Sequence, residues 1–205
     1  MEYADKQEVS LAALDEQRQL WIDTLSHARH DWMNDLQLLL GYVQLRKYDK
    51  IAQYVDMLKQ RMAEESRVSK LGHPGLIEAL LTYKTRNKPY EFVLRIGQTD
   101  TEDLRDAAPV LNAAERVVRR LLTGFEASAL RGESGDENRL ECSVETKPKG
   151  VMVLFIYQGA YAPSQLRHEV DGLRANGLPL VTVQCKEQYE AQEAQVEVHI
   201  SVSNS

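Results

Sequence analysis

The chain has 205 residues, 43% hydrophobic and 27% charged. That suits folded domains and suggests neither disorder nor a membrane protein, since no run nears the ~18 apolar residues a spanning helix needs. The net charge of −6, from 25 Lys+Arg against 31 Asp+Glu, speaks against nucleic acid as the main partner, which usually selects a basic balance.

The N-terminus has no basic stretch followed by an apolar one, so no secretory signal is expected and a cytoplasmic location fits. Residues 8–46 contain no proline, and their single glycine, Gly41, comes late. Leu25, Ala28, Trp32, Leu36, Leu39 and Val43 recur at spacings of three and four, the seam of a long helix. At 1.5 Å per residue the helix would reach about 58 Å, too long to lie on one small domain. Arg46-Lys47-Tyr48-Asp49 interrupts the pattern, and Asp49 can cap a second helix. Ile51, Val55, Leu58 and Met62 give that helix its apolar stripe, to about Lys70. Two such helices make an antiparallel hairpin. One hairpin cannot cover both its apolar faces, so a homodimer is expected, a four-helix bundle with a two-fold axis.

Leu71-Gly72-His73-Pro74-Gly75 punctuates a boundary between a helical domain, 1–70, and a C-terminal α/β domain, 71–205. The second should begin with a helix near 75–86 and a strand over Tyr90–Gly97. An amphipathic helical segment follows over Thr101–Leu130, ending at Arg131-Gly132. Strands are expected at Arg139–Thr146, Val151–Tyr157, Leu180–Cys185 and Gln195–Val202. In the last, Val196, Val198, Ile200 and Val202 alternate with Glu197, His199 and Ser201. Pro163–Asn176 reads as a helix, with Pro163 in its first turn and Gly177 after its end. The fold class is α+β, with one sheet covered by helices. Cys142 and Cys185 lack metal-ligand spacing and read as small hydrophobes in strands.

The chemistry concentrates in Ser26-His27-Ala28-Arg29-His30-Asp31-Trp32-Met33-Asn34-Asp35-Leu36-Gln37. A helix turns ~100° per residue, so His30 falls opposite the seam, and Asn34 and Gln37 share its outer stripe. A neutral imidazole is a good nucleophile near pH 7, and Asp31 can orient it or take its second proton. Arg29 precedes it. No acidic cluster able to hold a metal ion surrounds it. His27 sits ~60° away around the helix. His27, His73 in the linker, His168 on a short helix and His199 on a polar strand face read as ordinary surface residues.

The run Arg-His-Asp-x-x-Asn-x-Leu-Gln resembles the phosphoacceptor box of bacterial sensor histidine kinases. With the hairpin turn, the length and the domain order, it resembles the histidine phosphotransferases of the phosphorelay in endospore-forming bacteria, relatives of those kinases. The resemblance implies that His30 is the phosphorylated histidine, supported by Arg29, Asp31 and Asn34. It implies that the outer stripe, with Asn34, Gln37, Leu38, Gly41 and Tyr42, docks response regulators. A phosphorylated single-domain regulator would be the donor and a DNA-binding master regulator of sporulation the acceptor, each bringing its own aspartate and Mg2+. No cofactor is expected on this chain. A kinase would also need a nucleotide site. At the best place for its asparagine helix stand Arg120 and Gly124. At the adenine turn only Gly159 matches, with Tyr157 and Tyr161 where an aspartate and a glycine belong. Gly172 and Gly177 form no glycine-rich lid and read as helix-end caps. A relay is thus favoured over an ATP-dependent kinase, and over a dimer that merely binds and blocks regulators or kinases.

Overall fold

The computed structural model describes residues 2–85, 88, 90–97, 108–130, 138–148, 150–175 and 181–203, and the side chains of its first helix at residue 15 and from residue 17 onward. The sequence expectations at Arg86, Thr101–Ala107, Arg131, Gly132, Asn176, Gly177 and Leu180 lie outside the described residues. The chain divides into two compact units, Met1–Met62 and Ala63–Ser205.

The first unit is a helical hairpin. Helix α1 spans Glu2–Gln44 and α2 spans Tyr48–Val68. Helix α1 ends two residues earlier than periodicity suggests because Arg46 turns left-handed, with φ 54°. The Lys47 N–H then reaches the Tyr42 carbonyl at 2.9 Å and the Arg46 N–H reaches that of Val43 at 3.0 Å. This is a Schellman closure, in which the left-handed residue is usually glycine. Asp49 lies in the first turn of α2 rather than before it, where its carboxylate still faces the positive end of the helix dipole.

The expected seam of α1 separates into two stripes. Ala28, Leu39 and Tyr42 are half-buried, as are Ile51, Tyr54, Val55 and Leu58 of α2. Leu25, Trp32, Leu36 and Val43 stay exposed, Leu25 at 67% and Trp32 at 64%. Met62, expected in the α2 stripe, is also exposed.

The second unit opens with the last turns of α2, a 3-10 turn at Ser69–Leu71, and α3 at Pro74–Thr85. His73, read from sequence as a linker residue, caps α3. Its Nδ1 accepts the Leu76 N–H at 3.1 Å, and its Nε2 faces Asn112 Oδ1 at 2.9 Å. Strand β1 (Glu91–Ile96), α4 (Ala108–Ser128), β2 (Arg139–Lys147), β3 (Gly150–Gln158), α5 (Pro163–Ala175), β4 (Val181–Tyr189) and β5 (Glu193–Val202) follow. The sheet order is β1-β2-β3-β5-β4, with β1 parallel to β2 and the other pairs antiparallel.

Alternation does the sorting here. Leu140, Cys142 and Val144 of β2, Val151 to Tyr157 at every second place of β3, and Val196, Val198 and Ile200 of β5 point to one face. Helices α3, α4 and α5 cover that face, and Leu121, Phe125 and Leu166 close the core. Strand β4 runs four residues beyond the expected Cys185 and ends at Tyr189. Cys142 is buried in β2 and Cys185 half-buried in β4, and burial pushes both thiols up.

A candidate phosphoacceptor surface on helix α1

His30 sits on α1, with its side chain 73% exposed and that of Asp31 70% exposed. Helical spacing puts Asn34 one turn on, with its Nδ2 3.2 Å from His30 Nδ1. Asp31 Oδ1 is 3.7 Å from the same Nδ1. One ring nitrogen is thus engaged by its own helix, and Nε2 has no partner among the described residues. Nitrogen and oxygen of an amide are interchangeable by a flip, so Asn34 can offer Nδ1 either a donor or an acceptor. Arg29 reaches Ser26 Oγ at 3.4 Å rather than the imidazole. His27 Nδ1 is tied to the Asp23 carbonyl at 2.8 Å.

Along the outer stripe, Gln37 and Leu38 are exposed. A methyl group built on Gly41 would meet nothing within 4 Å. Glycine in mid-helix costs about 1 kcal/mol relative to alanine, and no packing within the chain requires it here. Tyr42, expected on the same stripe, is half-buried instead. Its ring lies edge-on to Tyr54 of α2, with centroids 6.1 Å apart, because position 42 continues the stripe of Ala28 toward α2. Leu39, expected in the dimer seam, likewise packs within the hairpin, whereas Leu25, Trp32, Leu36 and Val43 do not.

Sequence reasoning passed over Asp35. It is buried between the helices, where the Tyr54 hydroxyl donates to Oδ1 at 2.7 Å and the Arg61 guanidinium donates to Oδ2. The hydrogen bond to Asp35, with burial second, raises the Tyr54 pKa. The signal was available: Ala28, Asp35 and Tyr42 are spaced by seven, as are Tyr54 and Arg61.

In the second unit, Tyr157 is fully buried and its hydroxyl donates to the Ala160 carbonyl at 3.1 Å, while burial lifts its pKa to about 12. Phe125 and Phe155 stack beside it. Gly159 has φ +133°, and a Cβ there would collide with Asn138, so backbone geometry alone accounts for this glycine. Arg120 pairs with Glu169 of α5 at 2.8 Å. Gly172, read as a helix-end cap, lies inside α5, where a Cβ would strike the Arg120 guanidinium. Gly124 is likewise crowded by Glu169 and Leu166. The two glycines let α4 and α5 pack closely. Among the described residues, no group of three or more His, Cys, Asp or Glu could hold a metal ion, and no helix is long and apolar enough to cross a membrane.

Residues 13–71 match the family model described as the SpoOB-type sensor kinase, alpha-helical domain. Sporulation initiation phosphotransferase B of Bacillus subtilis (strain 168) is 32% identical over 161 residues, 76% of this chain and 77% of that protein. Among solved structures, the histidine kinase AdeS of Acinetobacter baumannii is similar at 13% identity and TM-score 0.38, over 85% of this chain and 98% of that one. The catalytic domain of histidine kinase ThkA is similar at 12% identity and TM-score 0.41, over 63% of this chain and 93% of that one.

Proposed function

The chain belongs to the family of sporulation initiation phosphotransferase B, and from that premise we propose that it relays phosphoryl groups between response regulators through His30. The observation that carries the reading is the exposed imidazole at mid-helix, with Nδ1 held by its own helix and Nε2 without a partner among the described residues.

For Nε2 to hold a lone pair, the ring proton sits on Nδ1. There Asn34 Oδ1, with its amide turned over, accepts it, while the Asp31 carboxylate 3.7 Å away acts through its charge. The lone pair attacks the phosphorus of an aspartyl phosphate on the donor regulator. The P–N bond forms as the P–O bond to the carboxyl oxygen breaks, and the carboxylate leaves with the electron pair. Asp31 stabilises the charge that develops on the ring. In the second half, an aspartate oxygen of the acceptor attacks phosphorus, and the P–N electron pair returns to Nε2. Transfer runs both ways because the two phosphorylated side chains lie close in energy.

Phosphoryl transfer needs a cation on the phosphoryl oxygens. One carboxylate beside His30 is not a divalent-metal donor set. The reading therefore assigns Mg2+ to the regulator, together with the acceptor aspartate. A single-domain regulator is the donor and a DNA-binding regulator the acceptor, in the cytoplasm, at the start of sporulation. The tyrosines packed at the expected adenine turn and the Arg120–Glu169 pair support a relay over an ATP-dependent kinase. The exposed stripe of Leu25, Trp32, Leu36 and Val43 supports a homodimer, in which a second hairpin completes a four-helix bundle.

The test mixes the protein with a labelled, phosphorylated single-domain regulator, and runs ATP alone in parallel. Acid-labile, base-stable label on the wild type from the regulator, none from ATP, and none on His30→Gln is the expected result. A His30→Gln chain that still moved phosphate between two regulators would overturn it.

A further inference from the structure

The face of α1 that carries His30 continues one turn toward the N-terminus. His27, His30, Asp31 and Asn34 stand at i, i+3, i+4 and i+7, which is one continuous side of a helix. All four are exposed. The two groups beside His30 Nδ1, Asn34 at 3.2 Å and Asp31 at 3.7 Å, come from positions C-terminal to it. Helical side chains lean the other way, toward the helix N-terminus, so the turn next to the His30 ring on that side is the one that carries His27.

Exposure alone would leave His27 an ordinary surface residue, but its ring is held and its tautomer is fixed. Nδ1 lies 2.8 Å from the Asp23 carbonyl, which only accepts, so the ring proton is on Nδ1. Nε2 then holds either a lone pair or, in the imidazolium, a second N–H, and both forms keep the bond to Asp23. Among the described residues Nε2 has no partner. No carboxylate among them pairs with the ring either, whereas His30, His73 and His199 each have one alongside. The Asp23 carboxylate is engaged by Gln19 at 2.9 Å, and Arg29 is turned to Ser26 Oγ.

We propose that His27 binds the phosphoryl group carried by His30 between the two transfers, as an imidazolium that donates its Nε2–H to a phosphoryl oxygen. The proposal deepens the relay reading and rests on it. Once a regulator leaves with its Mg2+, the anionic phosphoryl group needs a cation from this chain, and His27 is the side chain on the shared face able to become one. Positions three apart bring their Cβ atoms to about 5–6 Å, and a charge-assisted N–H···O bond spans about 2.7–2.9 Å, so the phosphoryl oxygens bridge the two rings. The exchange of P–O and P–N bonds is the one given above. His27 adds a proton, taken from water onto Nε2 as the phosphoryl group arrives and returned as it leaves. Two negative charges favour that proton: the phosphoryl group, and Asp31 one turn along from His27.

The test equilibrates the full chain with the labelled, phosphorylated donor regulator at fixed Mg2+ and measures the ratio of label on the chain to label on the regulator. His27→Ala should lower that ratio about three- to fivefold, the scale of an exposed ion pair, and His27→Lys should restore most of it by returning the charge. Helical melts on the same samples should stay at the wild-type value. A wild-type ratio in His27→Ala, or a His27→Lys chain as low as His27→Ala, overturns the proposal and leaves the relay through His30 standing. A wild type that takes no label overturns both. Label on a His30→Gln chain that vanishes when His27→Ala is added also overturns both, because His27 would then be the acceptor itself.

Discussion

The two compact units treat their apolar side chains in opposite ways. In Ala63–Ser205, Leu121, Phe125, Phe155 and Tyr157 are fully buried, and three helices cover one face of a five-stranded sheet. In Met1–Met62, leucines and tryptophans face water, and among the described residues the one buried side chain is a carboxylate, that of Asp35. The second unit encloses a finished core. The first holds about half of one, plus the exposed imidazole of His30, the proposed nucleophile, on its outer side. On the proposed relay, a domain visited by two regulators in turn would keep its chemistry on a bare helix and leave the packing of that helix to a neighbour.

Truncation of the finished core should have the largest effect. Phe155→Ala is expected to cost about 3–5 kcal/mol, read as a shift in the urea midpoint. Because the core is closed within one chain, that shift should not change with protein concentration. Dependence on concentration would mean the second unit is also incomplete alone. Leu36→Asp tests the opposite property of the hairpin. It should scarcely disturb one hairpin, where Leu36 is exposed, yet cost on the order of 2–4 kcal/mol in dimerisation by burying an unpaired charge. Light scattering should find monomers, and transfer should fail with the dimer. A dimeric, active Leu36→Asp would move the interface to another face.

Much of this contrast was legible in the sequence. Periodicities of 3.6 and 2 differ enough to place the hairpin helices and the alternating strands, and the angle from the seam puts His30 outward before any coordinates. The box around His30 identified the candidate site, but not what holds its ring. The two apolar stripes of α1 were harder. They lie only about 60° apart, so one pattern of threes and fours absorbed both, and Leu39 and Tyr42 were put on the wrong sides. The turn was read at Arg46–Asp49, but its exact bounds, with α1 ending at Gln44 and α2 beginning at Tyr48, were not, because an arginine in the left-handed region carries no composition signal. Gly172 was read as a cap because a glycine near a helix end looks alike whether it frees the backbone or admits a neighbour's side chain. The end of β4 was lost because Lys186-Glu187-Gln188 is a run of polar residues on an edge strand, which breaks the apolar alternation.

Asp35 shows what a buried polar group does in an otherwise apolar stripe. Asp35→Ala removes the acceptor for both Tyr54 and Arg61, and should cost about 1–2 kcal/mol of hairpin stability, since Arg61 is partly exposed and regains water. Asp35→Leu should recover most of that loss by packing, because an apolar replacement avoids the cost of desolvating the ion pair. If both variants melt like the wild type, the clamp contributes nothing and the register rests on the apolar pairs alone.

The smallest effect separates the needs of folding from those of docking. A methyl at position 41 meets nothing within the chain, so Gly41→Ala should stabilise α1 by about 1 kcal/mol through helix propensity. The proposal predicts the reverse for function. If a regulator's backbone or ring comes close to the outer stripe one helical segment beyond His30, the same methyl should slow transfer, and Gly41→Leu should slow it further. Thermal melts and single-turnover transfer on the same samples check the pair of signs. A chain that gains stability and transfers at the wild-type rate would put the docking surface elsewhere on α1, and would leave the glycine without an explanation on either unit.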